Sequence, residues 1–178
     1  MARGGARNRS GPPVDPSSGR SDRRGLSFTA LPAHGYDGLA PEWPLPLRVA
    51  WDVFLEDGAK IREPNAGLTA GIAAREAEVW AWAWRTPQAW AWAQPSESWR
   101  LHTIAMWVRT YVLCESSDAT AADKGSLHRF ADQIGLTPAG LKESGWAIAK
   151  DEVAAKRAEV DPEPIAPKSS RARMKIVQ

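Results

Sequence analysis

Six tryptophans crowd into residues 80–99, at Trp80, Trp82, Trp84, Trp90, Trp92 and Trp99, and the side chains flanking them are mainly alanine rather than lysine or arginine. Large rings set against small residues suit helix packing and subunit contacts, and each ring that is covered removes about 150–250 Å² from water. A chain carrying this much ring surface has to fold around it. Trp80, Trp82, Trp84, Trp90, Trp92 and, further along, Trp107 are therefore expected in the core or at an oligomer interface. Stacking of nucleobases on these rings is the competing use, and it is the weaker one because the cations that accompany such platforms are not interleaved here.

The pattern around the run is helical. Ala73, Ala77, Trp80 and Trp84 share one face at helical spacing, while Val79 and Trp82 point elsewhere, so this helix has more than one side to cover. It is expected to start near Thr69 as N-cap and to stop at Pro87. Ser96 caps a second helix over about residues 97–115, where Leu101, Ile104, Val108, Tyr111 and Val112 form a stripe with Trp107 beside it. A third helix, about 118–134, carries Leu127, Phe130, Ala131 and Ile134, with Gly135 where a C-terminal cap belongs. Thr137 and Pro138 open a short helix through Glu143, and a last amphipathic helix is expected over 146–160. The predicted fold class is all-α: a compact bundle of four to five helices over residues 69–160, which is also the expected oligomerisation domain.

Breakers dominate what comes before. The 14 prolines and 14 glycines cluster toward the N-terminal third. In Pro41-Glu42-Trp43-Pro44-Leu45-Pro46 each proline fixes its own backbone and extends its predecessor, so residues 42–47 are not a helix interior, and residues 25–68 are expected to form an extended Pro/Gly-rich strap with a possible short helix. Trp43 and Leu45 can plug into a neighbouring surface, and residues 48–56 read as a short helix or strand. Residues 1–24 offer almost nothing apolar to offset the entropy of ordering and read as a disordered arm.

The formal net charge of +2 is too small to hold a polyanion by itself, so placement decides. The arm carries Arg3, Arg7, Arg9, Arg20, Arg23 and Arg24 against Asp15 and Asp22, and a basic tail over 161–178 carries Lys168, Arg171, Arg173 and Lys175. An arginine that reaches a phosphate releases counterions and adds salt-sensitive affinity. These arginines are candidate DNA contacts; a merely solubilising role is the alternative.

Catalysis needs groups that converge, yet His34, His102 and His128 fall in unlike settings. Cys-x-x-Cys and His-Glu-x-x-His are both missing, as is a glycine loop ending in Gly-Lys-Ser/Thr. The chain is expected to be a binding protein and not an enzyme, with no cofactor and no metal. The single Cys114 excludes an internal disulfide and fits a reducing compartment. No apolar run approaches the length of about 20 residues that crosses a bilayer, so a cytoplasmic protein without a membrane partner is expected.

Residues 130–142 have the pattern of a helix-turn-helix: small Ala131, Gly135 at the turn, and apolar Ile134, Leu136 and Leu141. The second helix offers one cation, Lys142, beside Gly140 and Glu143, where a groove-reading helix presents several polar side chains. Packing is the favoured role for this pair, with Lys142 the candidate DNA contact on it.

The basic Gly/Pro-rich start, the strap Pro41-Glu42-Trp43-Pro44-Leu45-Pro46, the run Arg75-Glu76-Ala77-Glu78-Val79-Trp80 leading to Arg85-Thr86-Pro87-Gln88-Ala89, and Ala131-Asp132-Gln133-Ile134-Gly135-Leu136-Thr137-Pro138-Ala139-Gly140-Leu141, taken in order, resemble the small terminase subunits of tailed phages and prophages of actinobacteria. The resemblance implies a DNA-packaging role in the bacterial host cytoplasm. Such a subunit binds double-stranded DNA, assembles as a ring-like homo-oligomer and recruits the terminase large subunit, which supplies ATPase and nuclease activity. Related sequences often follow the Gly-Leu-Thr-Pro segment with arginines. Here Leu141-Lys142-Glu143-Ser144 stands in their place, which leaves open whether the arm, the 137–143 helix or the tail meets DNA. A helix-turn-helix regulator binding an operator as a dimer, and a scaffold with no nucleic-acid role, are the alternatives.

Overall fold

The computed structural model describes residues 28–149. The basic arm, the basic tail and residues 150–160 of the last expected helix lie outside the described residues.

Helix α1 spans Ala66–Ala83 and begins four residues earlier than the Thr69 cap would place it. Asn65 is the N-cap: its backbone is extended after Pro64, and its side chain accepts from the Leu68 N–H at 2.7 Å. Thr69 lies a turn inside and does different work, donating to the Asn65 carbonyl at 2.6 Å and accepting from the Ala50 N–H at 2.9 Å. Pro87 opens the short α2, Pro87–Trp92, as its first residue. The expected 97–115 helix starts instead as a 3-10 helix, Pro95–Arg100, that runs directly into α3, Leu101–Cys114. Ile104, Ala105, Trp107, Val108 and Val112 of α3 are buried, so this is the central helix. Helices α4, Ala121–Gln133, and α5, Pro138–Glu143, complete the helical set among the described residues.

Aromatic edges join these parts. The Trp80 ring meets Trp43 of the strap at 5.2 Å and Trp84 at 5.6 Å, and Trp84 meets Trp92 of α2 at 5.8 Å and Tyr36 at 6.1 Å, all edge to face. Each such pair adds roughly 0.5–1.5 kcal/mol beyond the area it covers. Trp80, Trp84, Trp92 and Trp107 are buried and Trp90 is half-buried, but Trp82 stays 56% exposed, stacked on Trp107 at 6.0 Å. Trp80 Nε1 donates to the Pro41 carbonyl at 2.9 Å, which pins the strap. Buried Trp84 Nε1 has no hydrogen-bond partner among the described residues.

The all-α expectation is overturned, because two small sheets accompany the helices. Strand β1, Thr29–Leu31, pairs in parallel with β4, Trp146–Ile148, bringing fully buried Leu31 beside Ile148 and exposed Thr29 beside buried Trp146. The start of the last expected helix is therefore strand. Gly145, at φ 68°, turns the chain after α5, and the backbone of 146–148 is satisfied by a segment far away in sequence. Local helical spacing carries no trace of such a partner.

The second sheet lies within the strap. Strands β2, Trp51–Glu56, and β3, Ala59–Pro64, form an antiparallel hairpin in which Trp51 faces Pro64, Phe54 faces Ile61 and Glu56 faces Ala59. Its two-residue turn, Asp57-Gly58, has φ 51° and 80°, the left-handed pair that matches strand twist and for which Asp-Gly is suited. The reading of 48–56 as helix or strand resolves to strand; its partner β3 was not anticipated.

At the start of α4, the N–H and Oγ1 of Thr120 both donate to Asp123 Oδ2, at 2.9 and 2.6 Å, while the Asp123 N–H donates back to Thr120 Oγ1 at 3.2 Å. The Thr120 hydroxyl, and after it the Thr120 N–H, hold the Asp123 carboxyl below the usual aspartate range. A depressed folded-state pKa gives stabilisation that is complete at neutral pH and disappears as pH falls through that lowered value. Hydrogen exchange is expected to show protection of the first turn of α4 fading on acidification before that of α3, and Asp123→Asn is expected to remove this pH dependence.

Candidate nucleic-acid interface

The helix-turn-helix pattern at 130–142 is built as follows. After Gln133 the chain passes through Ile134 to Gly135 at φ 79°, with the Leu136 N–H donating to the Ala131 carbonyl at 2.9 Å and the Gly135 N–H to the Asp132 carbonyl at 3.2 Å. That pair of hydrogen bonds closes a helix through a left-handed glycine. A side chain at Gly135 would also come within 2.7 Å of the Trp146 ring. Thr137 then caps α5, accepting from the Gly140 N–H at 3.0 Å, and its hydroxyl donates to Asp132 Oδ1 at 2.5 Å, tying the second helix to the first. Gly140 sits where a Cβ would fall far inside contact with the Asp132 carbonyl oxygen, so only glycine permits this approach of the two helices.

The turn is also held from beneath. Gln88 Nε2 donates to the Gly135 carbonyl at 3.1 Å and Trp92 Nε1 to the Ile134 carbonyl at 2.9 Å, both buried. Arg100 donates to the Gln133 carbonyl and lies over the Trp146 ring, 4.9 Å from its centre. The apolar stripe of α4 faces this support: Ile134 is fully buried, and Leu127, Phe130 and Ala131 pack against the core.

The opposite side of α4 exposes Gly125, His128 and Arg129, and Lys124 and Gln133 are exposed at the margins of the stripe. Both acids of the helix are engaged elsewhere, Asp123 in the cap with Thr120 and Asp132 with Thr137. Neither Lys124 nor Arg129 is in an ion pair among the described residues. Cations on α1 and α3 are different. Arg75 binds Glu115 at 2.6 Å and Glu78 at 2.8 Å, which raises the Arg75 pKa further and, through its hydrogen bond, lowers that of Glu115. Arg109 binds Glu76 at 2.8 Å. Charge on α4 is thus turned outward, whereas on α1 and α3 it is largely neutralised in place.

Lys142 is exposed on α5 and belongs to the same unit. Arg3, Arg7, Arg9, Arg20, Arg23, Arg24, Arg171 and Arg173 lie outside the described residues. Lys124, His128 and Arg129 were missed by the sequence reading, which weighed the second helix of the motif alone. Part of the signal was present, since Gly125, His128 and Arg129 lie at helical spacing opposite the stripe Leu127, Phe130, Ala131 and Ile134, with Lys124 and Gln133 at its margins.

Elsewhere, an apolar pocket of about 270 Å³ opens between the strap and the helices, lined among others by Tyr36, Leu39, Trp84, Trp92 and Ile104. Among the described residues no helix is long and apolar enough to cross a membrane, and no three His, Cys, Asp or Glu side chains gather as a metal site. No known protein family, no characterised protein and no solved structure matches the chain.

Proposed function

We propose that this chain is a self-associating DNA-binding adaptor of the small-terminase kind, acting in the bacterial cytoplasm, which holds double-stranded DNA for a large ATPase and nuclease subunit. The observation that carries the DNA-binding part is the solvent-exposed surface of α4, where Lys124, His128, Arg129 and Gln133 are all exposed on the first helix of a helix-turn-helix whose crossing is fixed by Gly140 and Asp132. Phosphate contacts from such a face give sequence-independent, salt-sensitive affinity. The arginines of the arm and tail add to it in this reading. The resemblance in the order of the strap, the Arg75–Trp80 run and the 131–141 segment supplies the packaging part.

The test is retardation of duplex DNA at rising salt. Each phosphate contact contributes about 0.9 to the slope of log affinity against log salt. The double substitution Lys124→Ala, Arg129→Ala is expected to reduce that slope by about 2 and to weaken binding at low salt roughly tenfold, equally for all sequences. A wild-type protein that leaves duplex DNA unshifted at low salt sinks the proposal.

The formed helix-turn-helix also favours a second reading, an operator-binding regulator. The two separate on one comparison. In a regulator, Lys142→Ala abolishes preference for duplexes selected from a random pool; in an adaptor, deleting residues 1–24 weakens binding more than Lys142→Ala does.

A further inference from the structure

The hairpin β2–β3 is uncovered on both faces among the described residues: Leu55 is 72% exposed, Val53 55% and Trp51 51%, with Phe54 also exposed across from half-buried Ile61. A two-stranded hairpin alone is marginal in water, and this one leaves apolar side chains on each side. The register sorts its side chains. Cross-strand partners lie on the same face and neighbours along a strand alternate. One face therefore carries Trp51, Val53 and Leu55 with Arg62 and Lys60, and the other carries Phe54 and Ile61 with Asp52, Glu56 and Glu63. Each face has an apolar centre, and the flanking charges are basic on one and acidic on the other.

From this complementarity we infer that the hairpin is a head-to-tail self-association element, the basic face of one copy stacking on the acidic face of the next. The inference rests on, and specifies, the self-association in the function proposed above. Nucleic acid does not suit the hairpin: residues 51–64 hold four carboxylates, Asp52, Glu56, Asp57 and Glu63, against two cations, Lys60 and Arg62. A symmetric contact does not suit it either, because stacking like faces sets Lys60 and Arg62 against their own copies, or Glu56 and Glu63 against theirs. Unlike faces satisfy both, and repetition of such a contact yields a ring or a filament rather than a closed dimer. Beside the base of the basic face, Trp51, Val53 and Arg62 border a groove of about 430 Å³ whose other wall includes Leu68, Ile72 and Val112, so the apolar surface continues from the hairpin onto α1 and α3. Asp52 is held by Asn65 Nδ2 at 3.0 Å, anchoring the hairpin to the cap of α1 and fixing which way its faces look.

Sedimentation of the full chain over a concentration series tests this with two charge-reversed variants, Lys60→Glu with Arg62→Glu, and Glu56→Lys with Glu63→Lys. Wild type is expected to sediment as an oligomer. Each variant alone is expected to associate at least tenfold more weakly, since it presents two faces of one sign. An equimolar mixture of the two is expected to assemble again, acid to base throughout. Circular dichroism checks that each variant is folded, and Phe54→Ser, which removes the larger of the two apolar side chains on one face without altering charge, gives an independent loss if a reversed variant fails that check. A monomeric wild type, reversed variants that assemble like wild type, or folded variants whose mixture stays apart each overturns the inference. Failure of the wider reading looks different: a chain that assembles but ignores duplex DNA loses the adaptor role and keeps this interface, while one that shifts DNA as a monomer loses the interface and the self-association and keeps only the DNA-binding part.

Discussion

An Arg109→Met protein is expected to be less stable than wild type by about 3–5 kcal/mol, the usual consequence of removing one partner from a buried ion pair. Glu76 lies on α1 with its side chain 5% exposed, and its carboxylate receives Arg109 Nε at 2.8 Å and Nη2 at 3.2 Å from α3. The same guanidinium donates to the Pro46 carbonyl at 2.7 Å and lies 5.7 Å from the centre of the Trp43 ring. One side chain thus joins two helices and the strap. Methionine keeps much of the packing volume but leaves the carboxylate buried without its cation, and it frees the strap carbonyl. Replacing both partners, Arg109→Met with Glu76→Met, is expected to recover most of the loss, because the pair's attraction largely offsets the cost of burying its charges. Urea unfolding followed by tryptophan emission measures both proteins, and limited proteolysis near residues 37–47 reports the strap. A loss below about 1 kcal/mol for Arg109→Met would show that this bridge does not hold the layers together.

How much of this could be read in advance depends on how local each signal is. Gly135, Thr137 and Pro138 mark the turn and the start of α5 because caps are chemistry of a few neighbouring residues. The burial of Trp80, Trp84, Trp92 and Trp107 follows from ring size and helical spacing. Thr69 was mistaken for a cap because Asn65 follows a proline inside what looked like strap, where a helix start is not sought. The hairpin was legible in principle, since Asp57-Gly58 between Val53-Phe54-Leu55 and Ile61 is a short-range turn signal. The proline run ends at Pro46, and residues 48–56 taken alone fit a short helix or a strand, so the choice depends on the partner strand Ala59–Pro64. The pairing of Thr29–Leu31 with Trp146–Ile148 was not legible, because nothing in either three-residue stretch specifies a partner so distant along the chain.

The candidate site shows the same division. Lys142 stood out as the one cation on the second helix, but charge on the first helix matters as much once its acids are seen to be engaged in caps. That engagement depends on side-chain geometry: Asp123 turned back to Thr120 and Asp132 turned to Thr137 leave Lys124 and Arg129 as the outward charge of α4. A count of charges along residues 121–133 gives two acids against two cations and one histidine, close to neutral, and hides the face. Direction, more than composition, makes this helix a candidate for phosphate contact.

Two glycine-to-alanine substitutions on this one motif are expected to move stability in opposite directions. Gly140→Ala places a methyl group against the Asp132 carbonyl, whose backbone has little room to retreat, because the residues after it are held by Gln88 and Trp92 and its side chain by Thr137. The helices must separate, at a cost of about 3 kcal/mol, the upper part of the range for overpacking. Gly125, also on α4, meets nothing within 4 Å of an added Cβ, lies in a helix interior and has no left-handed backbone. Alanine there removes only the entropy that glycine loses on folding, and a gain of about 0.5–1 kcal/mol is expected. Thermal and urea midpoints of the two variants measure the contrast. DNA retardation then ties it to function: Gly125→Ala keeps Lys124 and Arg129 in place and so keeps the salt dependence of binding, whereas Gly140→Ala displaces α5 and Lys142 from α4 and binds more weakly even where it remains folded. If both alanines move the midpoint the same way, the close crossing at Gly140 is not what fixes the two helices.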